Sequence, residues 1–304
     1  MSTRGARARA AVPDFRERRG LLLLLSPYLA GIAILILVPA AITFALSLFE
    51  YDLVRPARFV GMDNFTELTD DVVFVRSLKN SATFALGAVP FRLLGALILA
   101  LLLHRRFRGV GVYRTAAYLP TLVPDIAYGF LWLWILNPLY GPLNLALANL
   151  GVGVPQWLVS PDAARWAVVL MSVFQIGEGF VVALATRQEI PEELYEWSSI
   201  EGAGPLGAFR RITLPLMTPT LLLLLFRDTV FSFQATFVPA LVVTQGGPPP
   251  DGTTYLPLFV YRNAFEYLRY GYASAATLVM FAVTGLIVLI QWRIVRRWRR
   301  AFVV

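Results

Sequence analysis

The sequence predicts an all-α integral membrane protein with six transmembrane helices. Three observations carry that prediction. Apolar residues make up 57% of the 304 positions and charged residues only 15%, against about 45–50% and about 25% in an ordinary soluble domain. Six segments approach or exceed the length of about 20 apolar residues that crosses a hydrocarbon core as a helix. The basic residues concentrate in alternate loops, the bias that sets membrane orientation.

The spans read in order as residues 21–49, 80–103, 115–136, 166–186, 216–244 and 270–292. The first carries no charge over 29 residues. A cleaved signal peptide has an apolar region of about 7–15 residues, so this segment is expected to be retained. Residues 1–20 form a basic amino-terminal segment, 21–297 the transmembrane unit and 298–304 a short tail. An even number of spans puts both termini on one side. The segment before the first span, the loops after the second and fourth spans, and the tail hold 18 Arg residues, while the other loops hold 7 Lys or Arg. The termini are therefore expected in the cytoplasm, together with the loop 188–215.

The other side is expected to carry a polar, acid-bearing loop at 50–79. It also holds a short interfacial helix in LNLALANL anchored by Trp157, and the glycine- and proline-rich turn QGGPPPDGTT. The net charge of +8 is nearly all arginine and clusters beside apolar segments, the pattern of topology rather than of nucleic-acid binding. No cysteine is present, which excludes disulfides and thiolate-ligated metals. The single histidine, His104, abuts Arg105 and Arg106 at a helix end and reads as an interfacial polar residue. No metal site is expected.

The cytoplasmic loop contains YEWSSIEGAGPLGAFRRITLP. Pro191 suits a first helical turn, and Glu192 and Glu193 favour its positive end. Gly202 and Gly204 permit a turn, and Pro205 blocks simple continuation of the helix. A second helix is expected over 206–213, with Phe209 and Ile212 on one face, and Pro215 enters the next span. The loop is then a small rigid knob: either a connector packed on its own helices or a docking element.

This stretch resembles the EAA loop of ABC importer permeases, whose core runs Glu-Ala-Ala, a gap, Gly, a longer gap, then Ile-x-Leu-Pro. Glu196, Gly202, Ile212, Leu214 and Pro215 match; Trp197 and Ser198 replace the two alanines, and Glu201 stands where aspartate is usual. FVGMDNFTEL, LHRRFRGVGVYRTAAYLP, TQGGP and YRNAFEYLRYGYASA extend the resemblance, in order, over residues 21–297, to the carbohydrate-uptake, maltose-type permeases. The resemblance implies a type I importer permease fold in a bacterial or archaeal cytoplasmic membrane. It implies a complex with a second permease (a heterodimer), two ATP-binding subunits and an external solute-binding protein. Glu196, Gly202, Ala203, Phe209, Ile212, Leu214 and Pro215 would form the ATPase-coupling loop. ATP and Mg would belong to the partner, since this chain has no GxxxxGK[ST] phosphate loop. It is expected not to be an enzyme.

Charges inside spans are costly, about 2.5–3.5 kcal/mol each on insertion scales, and face cavities or pair. Arg92, Asp125, Glu178, Arg227 and Asp228 are such charges. Arg92 has Asp125 or Asp228 as a partner; Arg227 and Asp228, being adjacent, are expected to point to different sides of their helix. Glu178 lies between Gly177 and Gly179, with Gln175 one turn earlier. Thr229, Ser232, Phe233 and Thr236 share a helical face. Such a polar and aromatic stripe suits a sugar, or equally the packing of one helix on another. Maltose-type permeases carry cargo contacts on the spans flanking the coupling loop, which implies that Gln175, Glu178, Thr229, Ser232, Phe233 and Thr236 line the cargo path. Alternatives are a glycerol-phosphate or polyol importer of the same family, and a membrane-embedded transferase. Scattered acids and a single histidine argue against the transferase, and a docking knob argues against a passive channel.

Overall fold

The computed structural model describes residues 15–105, 107–248 and 251–302. Most of the basic amino-terminal segment (1–14), Arg106, Pro249, Pro250 and the last two residues of the tail lie outside the described residues.

The chain opens on a long helix, α1 (Phe15–Ile32) and α2 (Val38–Leu46), joined by one wide π turn at Ala33–Leu37. The turn closes where Val38 donates to the Ala33 carbonyl, just before Pro39. Proline cannot donate and its ring crowds the preceding turn, so widening the helix there relieves the crowding. None of the most apolar stretch of this helix is buried within the chain. An antiparallel ribbon, β1 (Phe49–Glu50) with β2 (Arg58–Phe59), and α3 (Asp63–Asp70) then fill the expected polar loop. Asn64 pins α3 to the ribbon by donating to the carbonyls of Ser47 (2.8 Å) and Phe49 (3.0 Å).

Helix α4 (Val72–Leu103) is the central element, packed against α8, α9, α12 and α13. It starts eight residues before the expected span because the Asp71 side chain caps it, accepting from the amides of Val73 (2.7 Å) and Phe74 (3.0 Å). At its far end the Arg114 guanidinium bonds the Leu103 carbonyl at 2.7 Å and 3.0 Å, supplying positive charge to the helix's negative terminus.

The expected third span is not one helix. It divides into α5 (Val110–Tyr118), a 3₁₀ turn at Leu119–Leu122 and α6 (Asp125–Ile135), because Pro120 and Pro124 remove two donors in succession. Helix α7 (Pro142–Asn149) is the short outer helix, and Trp157 Nε1 donates to Asn144 Oδ1 at 2.9 Å. The fourth segment also breaks: α8 (Pro161–Phe174) and α9 (Gly177–Glu189) meet at a 44° bend. Both breaks touch. A Cβ on Gly177 would lie 2.8 Å from Thr121 Oγ1 and 2.9 Å from Tyr118 Cα, so only glycine lets α9 begin against the third segment.

The knob consists of α10 (Glu192–Ile200) and α11 (Pro205–Ala208) around a turn. Gly202 has φ +80° and Ala203 donates to the Ser198 carbonyl at 2.9 Å, the left-handed helix ending that glycine favours. The second arm differs from the expected separate helix. After α11 a π turn (Phe209–Thr213) leads without interruption into α12 (Leu214–Ala235), and again the wide turn precedes a proline, Pro215. Helix α13 (Leu256–Tyr261) and the final α14 (Tyr270–Phe302) complete the chain.

Among the described residues, four helices are long and apolar enough to cross a membrane, or five with the bent α8–α9 pair as one span. Small residues at the contacts, Ala96 and Ala100 of α4 and Ala183 of α9, let the backbones approach around Phe180, Met217 and Leu224.

Candidate functional site

The two breaks and α12 enclose a cleft of about 140 Å³. Its charged walls are Arg92 of α4, Asp125 at the start of α6, Glu178 in the first turn of α9, and Arg227 and Asp228 of α12. Gln175, Thr121 and Phe231 complete it, and Gln175, Asp125 and Phe231 also line an adjoining cleft with Gln234 and Tyr128. Helix breaks of this kind are tolerated in a bilayer where they line a polar cavity, because the freed backbone groups find partners there.

The charges form one connected set. Arg92 Nη2 lies 3.3 Å from Asp228 Oδ1, with both side chains buried. Arg227 Nη1 reaches the same oxygen at 3.4 Å, and Arg227 Nη2 is ion-paired with Glu178. The expectation that Arg227 and Asp228 point apart is therefore corrected: the long guanidinium folds back onto its neighbour. Of the two partners open to Arg92, it takes Asp228. Both guanidiniums lie near the ring of Phe231, at 5.2 Å and 5.8 Å from its centre, within cation–π reach. The inner pair, Arg92 and Asp228, is shut away from solvent, whereas Arg227 and Glu178 are 38% and 56% exposed and face the opening.

Of the expected cargo residues, the structure brings Gln175 and Glu178 to the cleft and places the stripe of α12 elsewhere. Thr229, Ser232, Phe233 and Thr236 are all buried and are absent from the cleft walls. Thr229 donates to the Leu225 carbonyl (2.8 Å) and accepts from Gln291 of α14 (2.8 Å), and Phe233 packs with Leu256, Phe259 and Tyr272. In this conformation Thr229 and Phe233 make contacts between helices. The opposite face of α12, Arg227, Phe231 and Gln234, meets the clefts. Its i, i+4, i+7 spacing is present in the sequence, but the hydroxyl-rich face is the more sugar-like of the two, and nothing in the sequence singles out Phe231, Gln234 or Thr121.

The knob has two faces as well. Tyr195, Phe209 and Ile212 pack inward on the core of α4, α9 and α12, and Ala203 is half-buried. Outward stand Trp197, Ile200 and Leu206, which are 72%, 85% and 64% exposed, among the exposed carboxylates Glu192, Glu193, Glu196 and Glu201. Leu214 and Pro215 are exposed at the entry to α12.

Residues 92–300 match the family described as the binding-protein-dependent transport system inner membrane component. The chain belongs to that family of ABC importer permeases. Relatives of this permease include the probable ABC transporter permease protein YesP of Bacillus subtilis, 35% identical over 90% of this chain and 89% of that one. The sulfoquinovosyl glycerol transport system permease protein SmoG of Agrobacterium fabrum is 32% identical over 93% and 92%. In fold, the permease is similar to a chain of a bacterial ABC transporter that imports the acidic polysaccharide alginate. The TM-score is 0.79 at 24% identity, over 93% of this chain and 97% of that one.

Proposed function

We propose that this permease carries a carbohydrate through the membrane, that its cargo passes the Arg92–Glu178–Arg227–Phe231 cleft, and that the 188–215 knob docks on a separate ATPase that supplies the energy. One observation carries this reading: the cleft and the knob share two rigid helices. Helix α9 opens with Glu178 in the cleft and ends where the knob begins. Helix α12 leaves the knob and brings Arg227 and Phe231 to the cleft. A push on the knob is thereby a displacement of the cargo walls.

Six crossings complete the proposed topology, with α5–α6 crossing as one broken segment and both termini in the cytoplasm. Hydrolysis, with its ATP and Mg, falls to the partner. A second permease and an external solute-binding protein complete the complex. The cargo is a sugar presenting hydroxyls, to which Gln175, Asp125 and the carboxylates offer hydrogen bonds beside the apolar ring of Phe231. Both arginines already lie against carboxylates, which favours an uncharged sugar over a glycerol phosphate.

The test is purification of the tagged chain from its native membrane, followed by reconstitution in proteoliposomes. An ATPase subunit should co-elute, and ATP should drive sugar accumulation. A chain that purifies folded without any ATPase partner would end this reading.

A further inference from the structure

Arg187, in the last turn of α9, is 5% exposed. Among the described residues no carboxylate lies within 4.0 Å of it. A guanidinium buried without a counter-charge is costly, so what holds it is informative. Its Nη2 lies 3.2 Å from His104 Nε2, and its guanidinium carbon sits 4.4 Å from the ring centre of Tyr195 in α10. The Tyr195 hydroxyl in turn bonds Thr213 Oγ1 at 2.8 Å, just before α12. His104 directly follows α4, and its Nδ1 lies 2.6 Å from the Leu101 carbonyl. A carbonyl only accepts, so Nδ1 carries the proton and Nε2 is the lone pair that receives the Arg187 N–H. One chain of contacts therefore ties the ends of α4, α9, α10 and α12 together.

We infer that Arg187 is the positioning residue that couples the knob to the cleft, and that neutral His104 holds it there. This rests on the transport reading above. Helix α9 is a lever of thirteen residues, about 1.5 Å each. Glu178 stands at its cargo end, Arg187 at its knob end, and the 44° break is its pivot. When the knob moves, the ring of Tyr195 carries Arg187 with it, and α9 transmits the movement to Glu178.

His104 makes the contact sensitive to acid. Burial pushes its pKa below the ordinary histidine value; the adjacent Arg187 and Arg105 lower it further, while Glu192 and the bond to Leu101 oppose them. Arg114, which also reaches the His104 carbonyl at 3.4 Å, adds positive charge on the same side. The folded chain thus holds the proton less tightly than an unfolded one. The contact is complete above the ordinary histidine pKa and is lost as pH falls through His104's own, lower value, when the imidazolium has no lone pair and repels Arg187.

The experiment measures ATPase activity of the assembled complex with and without its cargo-loaded binding protein, at about pH 8 and about pH 5, the range over which histidine changes charge. The readout is the ratio of stimulated to basal activity, which cancels titration of the ATPase itself. Arg187→Gln should leave basal activity in place and lower the ratio at least about two-fold, the smaller end of coupling changes along such networks. In the wild type the ratio should fall on acidification. His104→Gln keeps an acceptor for Arg187 but does not titrate, so its ratio should stay flat. An R187Q ratio equal to wild type, or an H104Q ratio that falls as the wild type's does, would overturn the inference. Should R187Q fail to assemble, the H104Q profile decides alone. A wild-type complex with no stimulation at all would instead remove the transport reading beneath it.

Discussion

Within the cleft the two arginines have different work. Arg92 and Asp228 are enclosed together, and removing one partner of a buried pair leaves a bare charge at a cost of about 3–5 kcal/mol. Asp228→Asn should therefore reduce the yield of monodisperse complex in size-exclusion chromatography, and the double change Arg92→Leu with Asp228→Leu should recover much of it. Arg227 and Glu178 face the opening, and half-exposed pairs contribute about 0–1 kcal/mol. Glu178→Ala should accordingly assemble with the ATPase at wild-type yield and yet take up sugar poorly. Phe231→Ala should do the same if its ring lies against cargo; normal uptake kinetics in both variants would remove the cleft from the cargo path. The charges were legible in the sequence as candidates, because an ionised group in a span must face a cavity or a partner. Which hydroxyls joined them was not. A threonine on a helix can donate its hydroxyl to the carbonyl one turn back, as Thr229 does to Leu225, and so can be buried without any ligand.

The elements themselves were legible where one physical cause dominates. Long apolar runs located α4, α12 and α14 and matched three of their ends closely, Leu103, Leu214 and Tyr270, and Gly202 with Pro205 placed the knob's turn. The breaks were harder, since hydropathy averages over them. Pro120 and Pro124 announce the gap before α6, but no proline marks the bend at residues 175–176; there the cause is close contact, with Gly177 lying against the third segment. Gly177→Val should therefore open that contact and lower both assembly and uptake. Gly202→Val acts differently. A left-handed backbone costs a side chain about 1–2 kcal/mol, spent at the exposed turn of the knob. The chain should still insert, while uptake and stimulated ATPase activity fall together; both remaining at wild-type level would exclude a coupling role for this turn.

At the scale of the whole molecule, the proposed topology, argued from the basic asymmetry, puts the knob and both termini on one side of the membrane. The absence of cysteine makes this simple to check. Gly207→Cys, beside the knob's turn, should resist an impermeant maleimide added to intact cells and react once they are opened; labelling from outside would invert the topology. The first helix, none of whose most apolar stretch is buried within the chain, must be covered there by lipid or by another subunit. Nothing in one sequence distinguishes these, because both covers reward the same residues.

The wide turn at Phe209–Thr213 has a consequence for how such a permease can vary in length. A π turn holds one residue more than the α turn it replaces, so it acts as a reservoir of phase. Deleting a single residue there would return the chain to ordinary winding and leave α12 facing as before, at the expense of setting the Pro215 ring against a carbonyl. Inserting one residue further on, between Leu214 and Arg227, has no such reserve. It would rotate everything beyond by about 100°, swinging Arg227 and Phe231 out of the cleft while leaving composition, hydropathy and every span boundary almost untouched.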